Sequence, residues 1–185
     1  MIFSAKSFAA LLGGLMCWNM ASATELTSIY TSTKGGSCAE LTGELAQTYE
    51  KRSLDAGLCE GVKNWRVLIA ITDPRSWIEL EQDKKTLWSL GQVALGPDAI
   101  GNFPNMDAEK VEWRMDNAGQ PRAFIFRQSA QDRDNPEKEI SRLYVVSLAG
   151  QEPMLCGMAK TNEEARLMAD KPEACTQKLA RYDIQ

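Results

Sequence analysis

The sequence predicts an α+β domain: mainly an antiparallel β-sheet that can curl towards a barrel, with a C-terminal helix and two disulfides. Three observations carry this expectation. Alternating apolar runs joined by turn residues recur along the chain, a capping box opens one helical stretch near the end, and four cysteines fall in two close pairs behind an export signal.

The signal comes first. Lys6, the apolar run from Phe8 to Trp18 and the small triplet Ala21-Ser22-Ala23 have the layout of a cleavable secretory leader over 1–23. An apolar core of about 11 residues is too short to span a bilayer as a helix. Cys17 raises lipid attachment as an alternative, but Met16 stands where a small side chain is required. Cutting after Ala23 discards Cys17 and leaves Cys38, Cys59, Cys156 and Cys175, an even set suited to two sequential disulfides in an oxidising compartment. The remaining 24–185 is expected to form a single disulfide-stapled domain, periplasmic or secreted.

Along that domain, Ser28-Ile29-Tyr30-Thr31-Ser32-Thr33 is β-leaning and ends at Gly35-Gly36, so it reads as a short strand or extended arm. The stretch from Glu40 to Tyr49 fits a helical turn or a strand equally well. Closing the Cys38 to Cys59 loop removes about 3 kcal/mol of denatured-state entropy. Trp65-Arg66-Val67-Leu68-Ile69-Ala70-Ile71-Thr72 alternates, with apolar residues on the second face too, which predicts a central strand. Asp73-Pro74-Arg75-Ser76 turns it back into Trp77-Ile78-Glu79-Leu80-Glu81. Residues 91–107 hold three Gly, two Pro and two Asn without a sustained period, and are expected to be an irregular surface loop.

The second half repeats the pattern. Val111 to Met115, a turn at Asp116-Asn117-Ala118-Gly119 and Ala123-Phe124-Ile125-Phe126-Arg127 make a hairpin, and Arg142 to Leu148 adds a further strand. Thr161 with Glu164 forms the capping box of a helix ending before Pro172, whose Ala165, Met168 and Ala169 share one side. A Cys156–Cys175 bond would pin that helix to the strand before it.

Composition excludes much chemistry. No histidine is present, which removes the usual general base of Ser and Cys hydrolases and the commonest zinc ligand. The cysteine spacings lack a C-x-x-C knuckle, so neither metal nor cofactor is expected. Formal net charge is −4, with no basic stripe, which argues against a nucleic-acid partner.

Among candidate sites, Glu79, Glu81, Asp83, Lys84 and Lys85 crowd one region and leave open carboxylate or Ser/Lys catalysis against a solvated turn. Glu112 and Arg114 share a face opposite Trp113, and a cross-strand Glu112–Arg127 ion pair over a Trp-anchored core is expected. Trp65 and Trp113 are assigned to the core. Trp88 is expected to be partly exposed beside the 91–107 loop, making Trp88, Asp98, Phe103 and Asp107 the expected binding surface.

Taken together, Ser28-Ile29-Tyr30-Thr31 before Cys38, Cys59-Glu60-Gly61, Glu112-Trp113-Arg114 with Pro121, Ala123, Ile125 and Arg127, and Cys156-Gly157 with Asn162, Ala165, Arg166, Ala169, Asp170 and Cys175 resemble a family of small secreted proteins of Gram-negative bacteria without assigned activity. That resemblance implies export and a common architecture. In design alone the chain is similar to periplasmic lysozyme inhibitors, although none of their inhibitory loop motifs is present. The expectation is a non-catalytic periplasmic binding or inhibitory module, acting through an exposed loop on a protein or envelope component such as an envelope hydrolase. An envelope enzyme and a structural envelope component are the alternatives.

Overall fold

Two runs of alternating residues each fold into a four-stranded antiparallel meander, and the meanders pack face to face. The computed structural model describes residues 26–184; the expected signal over 1–23, with Cys17, and the terminus expected at Thr24 lie outside them. The first meander comprises β3 (Asp55–Val62), β4 (Trp65–Thr72), β5 (Arg75–Gln82) and β6 (Thr86–Ser89). The second comprises β8 (Lys110–Met115), β9 (Pro121–Gln131), β10 (Glu139–Ser147) and β11 (Met154–Ala159).

The chain ends exchange sheets. N-terminal β1 (Thr27–Ser32) pairs with β8 of the second meander, whereas C-terminal β13 (Ala180–Asp183) pairs with β6 of the first. Short β2 (Ala39–Glu40) and β12 (Gln177–Lys178) finish the opposite edges, and β7 (Asn102–Asn105) pairs with the far end of β9. A six-stranded and a seven-stranded open sheet result, rather than a closed barrel.

Alternation fills the space between the sheets. Trp65, Val67, Ile78, Leu80 and Trp88 of the first sheet meet Val111, Trp113, Phe124, Phe126, Tyr144 and Val146 of the second. Ring centroids run 4.6 Å from Trp113 to Phe124, 5.5 Å to Phe126 and 5.2 Å to Tyr144, within the range of favourable aromatic contacts. β4 is apolar on both faces because its second face, through Leu68 and Ala70, packs under Leu45 and Tyr49 of α1 (Gly43–Lys51). The open choice between helix and strand near Tyr49 thus resolves as a helix.

The outer face of the second sheet is covered by α3 (Asn162–Ala169). Ala165 and Ala169 sit on Ala123, Ile125, Leu143 and Val145, where small side chains allow close approach. Thr161 Oγ1 accepts the Glu164 N–H at 3.1 Å, which contributes about 1 kcal/mol. The Glu164 carboxylate reaches back to the Lys160 N–H, one residue before the usual capping-box target. Both expected disulfides are present: Cys38–Cys59 fastens the β1–β2 connection to β3, and Cys156–Cys175 fastens β11 to the turn following α3.

Two expectations need correction. Residues 91–107 are not irregular throughout, since they contain α2 (Gly91–Leu95), with Val93 and Ala94 buried, as well as β7. Nor does Glu112 pair with Arg127. The β8–β9 register sets Glu112 opposite Ile125, leaving Arg127 two residues further along and bonded to Ser141 at 3.0 Å. Arg166 of α3 lies over Glu112 instead. Among the described residues no helix is long and apolar enough to cross a membrane.

Candidate functional site

At one end of the sandwich the alternation of β4 outruns its covering layer. Ile71 continues the series of Trp65, Val67 and Ile69, yet it is 45% exposed. Beside it opens a groove of about 600 Å³ with apolar walls from Ile69, Ile71, Pro74 and Met106. A second cleft of about 590 Å³, reaching back to Tyr49 and Glu50 of α1, shares Asp55, Ile71, Thr72 and Asp73 with the first. Asp55 stands opposite Ile71 in the β3–β4 register, so an apolar ridge is flanked by carboxylates. Glu50, Asp55 and Asp73 line the two clefts against a single base, Arg75.

Arg75 is engaged: its guanidinium lies 5.0 Å from the Phe103 ring centroid, a cation–π contact worth about 0.5–1 kcal/mol at an exposed site. Phe103 is 43% exposed and has φ of +48°, a left-handed backbone costing a bulky residue on the order of 1–2 kcal/mol. Neighbouring hydrogen bonds hold it there. Asn105 Nδ2 donates to the Phe103 carbonyl at 2.9 Å, the Met106 N–H donates to Ser76 Oγ at 2.8 Å, and Gln128 Nε2 donates to the Ser76 carbonyl at 2.9 Å. Such a backbone persists only where its surroundings fix it.

The four residues expected to form a binding surface divide. Phe103 lies within β7 and Asp107 just beyond its end, where the Ser129 hydroxyl donates to it at 2.7 Å. Asp98 is exposed on a separate bend, which Arg133 holds through the Pro97 and Ala99 carbonyls. Trp88 is a correction: it is only 4% exposed and belongs to the inter-sheet core. It lies within β6, opposite buried Leu80, and its indole N–H donates to Gln82 Oε1 at 3.2 Å. Proximity in sequence to the 91–107 segment hid the fact that its own strand faces inward. Ile71 and Arg75 escaped the sequence reading, although Ile71 was visible as the last apolar residue of an unusually long run.

The charge run is dispersed. Glu79 is fully buried and accepts from Arg52, Tyr49, Ser89 and Trp77, while Glu81 is buried against Arg66. Burial alone would push the Glu79 carboxyl up, but the donated bonds from Arg52, Ser89 and Tyr49 outweigh it and hold the group below its ordinary value. Asp83 and Lys84, both with positive φ, form the tight turn between β5 and β6. Among the described residues no three of His, Cys, Asp and Glu gather as a metal-ligand set.

A second polar cluster fastens β1 and α3 to β8. Glu112 accepts from Ser28 Oγ, from Arg166 Nε at 2.7 Å and from Arg166 Nη2 at 3.1 Å, and Arg114 donates to Asp170 at 3.0 Å. For Glu112 too, burial raises the carboxyl and the bonds from Arg166 and Ser28 more than reverse the effect. Ser28, Glu112, Arg114, Arg166 and Asp170 thus meet in a seam between β1, β8 and α3. No family model, curated protein or solved structure matches this chain.

Proposed function

We propose that this chain is an exported, non-catalytic binding or inhibitory module whose contact surface is the groove beside Ile71 together with the Phe103 ring. The single observation that carries the reading is the exposure of two large apolar side chains, Ile71 and Phe103, at one end of a disulfide-fastened sandwich. Exposed aromatic and aliphatic anchors of this kind dominate protein interfaces.

The surroundings favour a basic partner. Glu50, Asp55 and Asp73 ring the apolar ridge, Arg75 is occupied by Phe103, and the whole chain is acidic. A cationic envelope hydrolase that presents an apolar residue beside Lys or Arg fits both features, and opposite charge would speed encounter. The carboxylates of the alternative, catalytic reading are taken up elsewhere: Glu79 is bound by Arg52 at the end of α1 and Glu81 by Arg66 of β4.

Inhibition provides the test. Added to lysozymes and other cationic peptidoglycan hydrolases while wall clearing is followed, the chain should slow at least one of them, and Phe103→Ala should weaken the effect roughly tenfold or more. No response from any hydrolase, or equal potency of the variant, would overturn the reading.

A further inference from the structure

The main strand paths of the two sheets end in four edge strands, three of which are blunted, and β7, which pairs with β9 off that path, is four residues long and carries Pro104. β2 and β12 are two residues long, and β13 carries Arg181 and Asp183, which pair with each other at 3.1 Å. Shortness and charge are the usual protections against edge-to-edge pairing. β1 has neither. Its six residues, Thr27–Ser32, include no charge and no proline, and they pair with β8 in an unbroken register from Thr27 opposite Met115 to Ser32 opposite Lys110. Among the described residues no strand covers its outer side. In an antiparallel ladder every second residue of an edge strand turns its N–H and C=O outward, so β1 offers a row of unpaired backbone groups.

We propose that β1 is the docking edge for a second copy of this chain, joining two seven-stranded sheets through an antiparallel β1–β1 pair about a two-fold axis. A two-fold contact needs a self-complementary strand, and a run of Thr, Ser, Ile and Tyr brings no like charges together when it meets itself. The pleat limits the register. Residues directly opposite must share a face, so the axis passes through a residue, and the six-residue strand overlaps its copy most fully with that residue at Ile29 or Tyr30.

Ile29 is the better centre. It lies opposite Trp113 on the face turned to the core, yet it is 41% exposed, an area its symmetry mate would cover. Tyr30 already carries Lys110 over its ring at 5.0 Å and receives Arg166 on its hydroxyl at 2.8 Å. An axis through Tyr30 would bring those cations towards their copies. With Ile29 on the axis, Ser28 meets Tyr30 and Thr27 meets Thr31.

Sedimentation of the exported chain, its N-terminus read by mass spectrometry, tests the contact across a wide concentration range. The wild type should shift from monomer to dimer, Ile29→Lys should raise the dissociation constant at least tenfold, and Leu167→Lys, on an exposed position of α3, should dimerise as the wild type does. Amide exchange on the wild type gives a readout independent of any variant: β1 amides should gain protection as concentration rises. A wild type that stays monomeric throughout, an undiminished Ile29→Lys dimer, or β1 exchange indifferent to concentration would overturn the proposal.

Discussion

The two sheets solve one problem at two depths. Each turns a carboxylate outward beneath its covering helix and answers it with an arginine: Glu79 with Arg52 at the end of α1, and Glu112 with Arg166 within α3. Under α1 the carboxylate is sealed, with Tyr49, Trp77 and Ser89 adding to the arginine fork. Under α3 it lies at the rim of a cleft of about 410 Å³, and Arg166 is well exposed. Desolvation makes the difference: a sealed pair is costly to break because its survivor stays buried, whereas a rim pair leaves a partner that water can take up.

Substitution should separate the two most clearly. Glu79→Gln leaves Arg52 without its counter-charge and should cost about 3–5 kcal/mol in urea unfolding. A loss as small as that of Glu112→Gln would break the comparison. Next in size, serine in place of both Cys156 and Cys175 should cost about 3 kcal/mol from loop-closure entropy alone, since their separation is 19 residues. Each helix lies within a disulfide-closed loop, α1 between Cys38 and Cys59 and α3 between Cys156 and Cys175, so this removal measures a covalent fastening that both share and the Glu79 substitution measures the polar anchor in which they differ.

Glu112→Gln should cost about 1 kcal/mol after allowance for solvent around Arg166, measured in the same unfolding series. Acid provides the smallest and finest probe. Both carboxyls are held below their ordinary value of 4.5 in the folded chain. Their stabilisation is therefore complete above the unfolded value and is lost as pH falls through the folded one. Between about pH 6 and about pH 3 the wild type should lose more stability than Glu112→Gln, and parallel losses would show that Glu112 is not one of the groups responsible.

Much of the scaffold was legible because it rests on local pattern. The period of two in Trp65, Val67 and Ile69, the turn at Asp116 to Gly119 and the capping pair Thr161 and Glu164 each declare their element within a few residues. Longer-range facts were not. Arg166 meets Glu112 across 54 residues, a pairing that no alternation reveals, and the cross-strand rule chose Arg127 in its place. β12 and β13 are short and polar and owe their form to their partners Met154, Leu155 and β6 rather than to propensity. For the site, loop composition pointed correctly to the exposure of Phe103 but misplaced Trp88, because burial depends on which face the second sheet covers.

The claim that function resides at the Ile71–Phe103 end, and not in the Glu112 seam, is tested most directly by titration calorimetry of a cationic lysozyme into wild-type, Phe103→Ala and Glu112→Gln chains. Wild type and Glu112→Gln should bind alike, with Phe103→Ala weaker by roughly tenfold or more. Unchanged binding by Phe103→Ala, or a loss confined to Glu112→Gln, would contradict the account.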